Sequence, residues 1–416
     1  MERISTAMPN NDMSFYLRRR ERDIAHIQNK IASQTRLPEL ADDPIGASHA
    51  VRYASHLTRL EQFEQNTHIA REHYNHLDGF LGEAVDIVQK LRELAVKGAN
   101  GVWTADDTAM MGIEVNELLK ELVSIANASG PNGKYLFTGD RALTEPFRIV
   151  EGSVERIGED APLRVEYRGA GATRSIEIAD GAEAALDVPG SRAFWAERMQ
   201  IASARDATSY QVAEGNTAIY VDGVEIPLSA GDDVNAIIAK INDSSAPVKA
   251  YLDVETQGLA LEGADPHLVT LEDRAGSTVL QDLGLTRGNS VQGAANWAPD
   301  ARVSGGSLFD VAIALRDALL RGDHNYVGGQ ALGAVDGALG NLNTQRNVVG
   351  SRHERAEIVW ARHNTQIGNV TASLDREAGL DLASAALELG MMDMAHRATL
   401  QSAARILPPT LLDFLR

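Results

Sequence analysis

The sequence predicts an α+β protein, in which paired N- and C-terminal segments form a long-helix coiled-coil rod that carries a β-rich inserted outer domain. Three observations predict this fold. Both ends of the 416-residue chain space their apolar residues as helices do. The middle instead alternates polar and apolar residues, as half-buried strands do. The simplest topology pairs the two helical ends and loops the middle out as an insertion.

The changes of periodicity set the expected domain boundaries. Residues 1–42 and 375–416 form a terminal coiled-coil domain, residues 43–145 and 300–374 a helical rod domain, and residues 146–299 the inserted domain. Single helices are marginal in water without packing. We therefore expect the two terminal segments to be disordered in the monomer and to become ordered on assembly.

Three helices are expected before the insertion. The first carries an apolar stripe made of Met13, Leu17, Ile24, Ile27 and Ile31. The second begins at Asp43-Pro44, because Asp43 can cap the free N–H groups and Pro44 suits the first helical position, and it continues to about Asn100. Thr104 and Asp107 form a capping box for the third helix.

Turn and strand signals follow. Asn132-Gly133 predicts a tight turn before a short extended segment at 135–137, and Asp222-Gly223 predicts a hairpin turn. The other elements expected in the insertion are strands at 164–168, 175–178, 218–221, 224–226, 248–254, 259–262 and 268–271 and a helix at 234–241.

Helical spacing returns after the insertion. A glycine-rich stretch from Gly328 to Gly340 has no Lys-Ser or Lys-Thr to complete a phosphate-binding loop, so it predicts close helix approach, a hinge or a helix interruption. Leu387, Met391, Met394 and Ala398 then form an apolar stripe at steps of four, three and four. A stripe of small and pliable side chains favours packing against another helix.

The chain ends on an apolar plug. Pro408-Pro409 stops the last helix, and Leu411, Leu412, Phe414 and Leu415 follow. Such a plug is expected to be buried, by the N-terminal helix or by another copy. The predicted assembly interface consists of Leu17, Ile24, Ile27, Ile31, Leu387, Met391, Met394, Leu411, Leu412, Phe414 and Leu415.

Composition argues against several classes of function. The net charge of −19 and the pI near 5.0 disfavour nucleic-acid binding. The basic run at 18–22 is interpreted as a solvated helix face. The absence of cysteine excludes disulfides and thiolate metal sites. Neither a secretory signal nor a membrane-spanning run is recognisable, so we expect no membrane insertion.

One residue pair could ligate a metal. His73 and His76 lie three apart on a helix beside Glu72, but no second ligand pair accompanies them, so surface residues are the favoured interpretation. No catalytic or dinucleotide-binding motif is recognisable, and no catalytic residue or cofactor is expected. A metal-dependent enzyme remains a third hypothesis, which would require tightly bound metal that His73→Ala removes.

Several separate segments resemble the flagellin superfamily. They include LRELAVKGANG at 91–101 and NGKYLFTG at 132–139, ahead of Pro146-Phe147. Segments 218–228, 238–242 and 282–285 are similar to an insertion motif of flagellins. Segments 1–6 and 401–415, the latter reading QSAARILPPTLLDFL, resemble the hook-filament junction branch more than filament-forming flagellins.

The resemblance implies a structural protein of the bacterial flagellum and no enzyme. It implies secretion through the flagellar export apparatus with an export chaperone, and a homo-oligomeric ring between hook and filament. The implied neighbours are an adjacent hook-associated protein and flagellin. The alternative within the superfamily is a filament-forming flagellin.

Overall fold

Long helices and antiparallel sheets make up the described chain, so the predicted α+β class is confirmed. The structure is a computed structural model that describes residues 7–39, 41, 43–215, 217–288 and 296–406. The chain separates into two compact units, Met1–Gln65 with Trp360–Arg416, and Asn66–Val359. The three-part division expected from sequence stays a prediction.

The elements follow in chain order. The helices are α1 Ala7–Ser33, α2 Pro44–Gly98, α3 Ala105–Ala126, α4 Gly190–Ala193, α5 Val234–Asn242, α6 Val279–Asp282, α7 Leu308–Arg321, α8 His324–Tyr326, α9 Leu332–Ala378 and α10 Leu382–Ile406. The strands are β1 Phe147–Ser153, β2 Asp160–Tyr167, β3 Ser175–Ala179, β4 Ala182–Ala185, β5 Gln200–Ala202, β6 Ala218–Val221, β7 Val224–Pro227, β8 Val248–Leu252, β9 Leu259–Gly263, β10 Leu271–Asp273 and β11 Arg302–Ser304.

The expected helix starts are present. The backbone N–H of Gly46 donates to Asp43 Oδ1 at 3.0 Å at the start of α2. At α3 the Asp107 N–H donates to Thr104 Oγ1 at 3.2 Å, and the Thr104 N–H donates to Asp107 Oδ2 at 3.0 Å. Both caps satisfy backbone donors that have no partner within the helix.

The sequence did not resolve α7 as a separate helix. Helix α7 packs against α3, and its own residue Arg316 is completely buried. The guanidinium of Arg316 donates to Asn116 Oδ1 at 3.1 Å and to the Pro162 carbonyl at 2.7 Å, so the buried charge is hydrogen-bonded. A Cβ on Gly112 would lie 2.9 Å from Leu320 Cγ, so this close helix approach favours glycine.

The glycine-rich stretch interrupts the helix. Residues Val327–Ala331, which include Gly328 and Gly329, form a π-helical turn between α8 and α9. A Cβ on Gly328 would lie 3.0 Å from the Ala99 Cβ. Interruption and close approach therefore occur together at this position.

The described residues between 147 and 304 form four antiparallel sheets. Their strand orders are β1-β2, β3-β4, β10-β6-β7 and β11-β5-β9-β8. The predicted hairpin at Asp222-Gly223 joins β6 to β7, with both residues at positive φ. Some strand bounds were wrong: the strand expected at 268–271 lies at Leu271–Asp273, the one expected at 164–168 begins at Asp160, and the one expected at 248–254 ends at Leu252. In the segment at 135–137, Tyr135 forms an isolated antiparallel bridge with Ser129.

An aromatic cluster lies in the core of the Asn66–Val359 unit. Phe147 packs with its ring centroid 4.9 Å from that of Phe309 and 5.5 Å from that of Phe194. Phe137 lies 5.1 Å from Phe194. These rings come from the loop after α3, from β1, from the end of α4 and from α7, so one cluster ties strands to helices.

A buried histidine fixes the β6–β7 turn. His267 Nε2 lies 2.9 Å from Asp222 Oδ2, and its Nδ1 lies 3.0 Å from Asp265 Oδ1. Burial alone would lower the pKa of His267, but hydrogen bonds to these two carboxylates outweigh it and raise the pKa to about 9. Both ring nitrogens therefore donate, and the imidazolium is the stable form near neutral pH.

This ion cluster predicts a loss of stability in alkali. Because the folded pKa is raised above the unfolded value, the stabilisation is complete below pH ~6.5 and is lost as pH rises through about 9. We expect this site to contribute about 3 kcal/mol that disappears over this range. Urea unfolding at a series of pH values checks it against His267→Gln, which should lack this slope. Parallel curves for the two proteins would contradict the assignment.

Candidate assembly interface

The two terminal helices pair within the unit formed by Met1–Gln65 and Trp360–Arg416. Helices α1 and α10 pack against each other. Where α1 has ended and α10 has not begun, Thr35 forms an antiparallel bridge with Gly379. The Arg36 N–H donates to the Ala378 carbonyl at 2.8 Å. Helices from the N- and C-terminal segments therefore pair, as the sequence predicts. Their ordering only on assembly stays a prediction.

Within this unit α2 also contacts α9, and the two helices run antiparallel. Trp360 Nε1 donates to Glu64 Oε1 at 2.6 Å, and the ring of His363 stacks on Phe63 at 5.9 Å. Nearer the start of α2, His49 Nδ1 lies 3.5 Å from Glu377 Oε1. The register of these pairs fixes the positions from which α1 and α10 extend.

The predicted stripe of α1 is the less exposed face of that helix. Ile27 is buried, while Leu17, Ile24 and Ile31 are half-buried. Helix α10 is the partner packed against α1, so these four residues already have an intrachain role. Their part in contacts between copies stays a prediction.

Helix α10 has two apolar faces. The face with less exposure contains Ala385, Leu389, Met392 and His396, at steps of four, three and four. The predicted stripe lies on the opposite side: Leu387 is 70% exposed, Met391 60% and Met394 66%. Sequence reasoning found one stripe and missed the other, although both have helical spacing. The missed stripe supplies the packing face of α10.

The exposed stripe of α10, defined here as Leu387, Met391, Met394 and Ala398, has the chemistry of a helix-docking surface. Three long apolar side chains in a row are costly to leave in water, and each is worth roughly 1.5–3 kcal/mol if fully buried. Methionine adapts its shape to a neighbouring surface at little cost. This stripe can therefore stabilise contact with another apolar helix.

Leu411, Leu412, Phe414 and Leu415 lie outside the described residues. Their burial stays a prediction from sequence.

One of the two histidines considered as metal ligands, His73, has another role. His73 Nε2 lies 3.0 Å from Asp187 Oδ1, while His76 and Glu72 are exposed. Arg174 also donates to the same carboxylate, from Nε and Nη2 at 2.7 Å each. The surface interpretation was therefore wrong for His73, which is part of a buried ion cluster. Sequence gave no signal for this pairing, since Asp187 lies 114 residues from His73.

The same cluster holds the β3–β4 hairpin against two long helices. Tyr74 of α2 donates its hydroxyl to the Ala185 carbonyl at 2.8 Å, and Arg352 of α9 donates to the Asp187 carbonyl at 3.1 Å. Burial alone would raise the pKa of Asp187, but the hydrogen bonds from His73 and Arg174 outweigh it and lower the pKa. The carboxylate therefore stays ionised and paired.

The described part of the chain contains no group of three or more His, Cys, Asp or Glu side chains placed to hold a metal ion. None of its described helices is both long and apolar enough to cross a bilayer.

Two segments of the chain match known protein families. Residues 4–142 match the bacterial flagellin N-terminal helical region, and residues 210–265 match the flagellin hook IN motif. The chain carries flagellin-family domains. The first flagellin-family region covers α1 to α3, including the α1 stripe, and the second covers β6 to β9 with α5.

The individual relatives include flagellins and a flagellar hook-associated protein. Flagellin FlaB1 of Treponema pallidum is 28% identical over 38% of this chain and 56% of its own. Flagellin A of Vibrio anguillarum is 24% identical over 90% of this chain and 93% of its own. Flagellar hook-associated protein 3 of Escherichia coli is 26% identical over 36% of this chain and 45% of its own. Two of these three relatives are thus matched over only about half of their length.

Among solved structures, flagellar hook-associated protein 3 of Legionella pneumophila is similar to this chain. It is 18% identical, with a TM-score of 0.46, over 78% of this chain and 97% of its own.

Proposed function

We propose that this chain is a structural subunit of the bacterial flagellum that assembles at the junction between hook and filament. The observation that carries the proposal is the match of α1 to α3 to the flagellin N-terminal helical region. The hook-associated relative in Escherichia coli and the resemblance of segment 401–415 to junction proteins support the junction position. The exposed stripe of α10 supports assembly.

The proposal specifies partners and route. The chain forms a homo-oligomeric ring, with an adjacent hook-associated protein on one side and flagellin on the other. It reaches this position through the flagellar export apparatus, accompanied by an export chaperone. It works by binding other subunits, without catalysis and without nucleic acid.

A filament-forming flagellin is the second candidate, favoured by the match to Vibrio anguillarum flagellin A over 90% of this chain. The two candidates differ in how far assembly proceeds. A flagellin subunit adds to identical subunits without limit, whereas a junction subunit needs different neighbours above and below.

Self-assembly of the purified full-length chain separates the candidates. We expect monomers or short rings by electron microscopy and sedimentation, because the junction contact requires partners. The control is a purified filament flagellin under the same salt and seeding conditions, which should elongate. Long filaments made of this chain alone would overturn the junction assignment in favour of a flagellin.

A further inference from the structure

A second set of exposed apolar side chains begins at the turn between α2 and α3 and continues along the exposed face of α3, in the Asn66–Val359 unit. Its apolar members are Val102 (91% exposed), Met110 (69%), Trp103 (43%) and Ile113 (40%). Asp106 and Glu114, on the exposed face of α3, form its rim. Within the described part of the chain neither carboxylate makes an ion pair. We name these six residues the acidic turn patch.

The outer face of α1 has the complementary chemistry. Phe15 is 52% exposed and lies on the same face as Arg18, Arg19 and Arg22, which are exposed. The Nε groups of Arg18 and Arg22 donate to carbonyls of their own helix, at 3.2 and 3.3 Å. Among the described residues none of the three arginines has a carboxylate partner. We name these four residues the basic helix patch, which lies away from the α1 stripe that faces α10.

We propose that the acidic turn patch of one copy binds the basic helix patch of a second copy. Each patch exposes apolar area. Three arginines outnumber the nearby carboxylates Asp12 and Glu21 around Phe15. Asp106 and Glu114 outnumber the one nearby guanidinium, that of Arg156, which donates to the Ala105 carbonyl at 3.5 Å, so the net signs of the two patches are opposite. Arginine can pair with a carboxylate and can also stack on the ring of Trp103. The chain has 58 acidic and 39 basic residues, a net charge of −19, so acidic surface on a second copy is available to an exposed cluster of arginines.

The contact joins two different surfaces, so it is head-to-tail. Such a contact repeats from copy to copy and closes into a ring or continues as a helix. The proposal rests on the assembly proposed above and adds a specific surface to it. It also gives the arginine run at 18–22, interpreted from sequence as a solvated helix face, a binding role.

The absence of cysteine makes the contact directly testable. Two differently tagged full-length chains, Phe15→Cys and Met110→Cys, are mixed and oxidised with diamide, which accepts the two electrons and two protons released as the disulfide forms. We expect a mixed disulfide dimer. The matched control pairs Phe15→Cys with Val254→Cys, because Val254 is 88% exposed and lies in neither patch. Equal yields from the two mixtures would overturn the proposal.

Charge reversal tests the chemistry of the same contact. Arg18→Glu with Arg22→Glu in the Phe15→Cys chain should lower the yield of mixed dimer roughly fivefold, as expected for two partly exposed ion pairs. Asp106→Arg with Glu114→Arg in the partner chain should restore it. A yield unaffected by either pair of substitutions would also overturn the proposal. If the mixed dimer forms but the chain is found along the whole filament, the proposed contact stands and the junction assignment is contradicted.

Discussion

Asp187→Ala is expected to lower the free energy of unfolding by about 3–5 kcal/mol, because it removes one partner of a buried ion cluster. The carboxylate has no exposed side-chain surface, and the Arg174 and His73 side chains that bind it are 25% and 17% exposed. Without Asp187 the guanidinium of Arg174 keeps its charge but loses two hydrogen bonds. The loss therefore includes the penalty of an unpaired, largely buried cation.

Urea denaturation followed by circular dichroism measures this effect. Glu159→Ala is the matched control, since it removes an exposed carboxylate of the same insertion and should change stability by less than about 0.5 kcal/mol. A loss below about 1 kcal/mol for Asp187→Ala would show that the hairpin is held to the helices by apolar packing rather than by this cluster.

Local signals in the sequence were enough to place most helices and several strands. Asp43 and the Thr104–Asp107 pair are caps whose partners lie three residues away, so the start of a helix is encoded where it occurs. The Asp222-Gly223 turn is encoded in the same way, by two adjacent residues that accept positive φ. Such features need no knowledge of the tertiary fold.

Features that depend on distant residues could not be predicted. Asp187 meets His73 across 114 residues, and Arg316 meets Asn116 across 200. The two faces of α10 show the same limit. Both stripes have helical spacing, and only the packing of α1 reveals that Leu389 and Met392 face inward while Met391 and Met394 face solvent. Periodicity locates a stripe but does not identify its partner.

Substitution of the exposed stripe of α10 is expected to have the second large effect, on assembly rather than on stability. Met391→Glu places a carboxylate on a surface that we propose is covered by another subunit, where an unpaired charge is strongly unfavourable. The side chain is 60% exposed in the single chain, so thermal unfolding of the monomer should change little. Met394→Glu should behave in the same way. Ala386→Glu is the control, because Ala386 is exposed on α10 but lies off the stripe.

Electron microscopy of immunolabelled flagella, in cells whose own copy of the gene has been replaced, tests the central claim most directly. The wild-type chain and Ala386→Glu are expected as a short band between hook and filament. Met391→Glu is expected to be exported but missing from this band, with filament protein shed into the medium and at least about tenfold fewer attached filaments, the change that corresponds to 1.4 kcal/mol per contact. Normal incorporation of Met391→Glu at the junction, or wild-type label along the whole filament, would contradict the account.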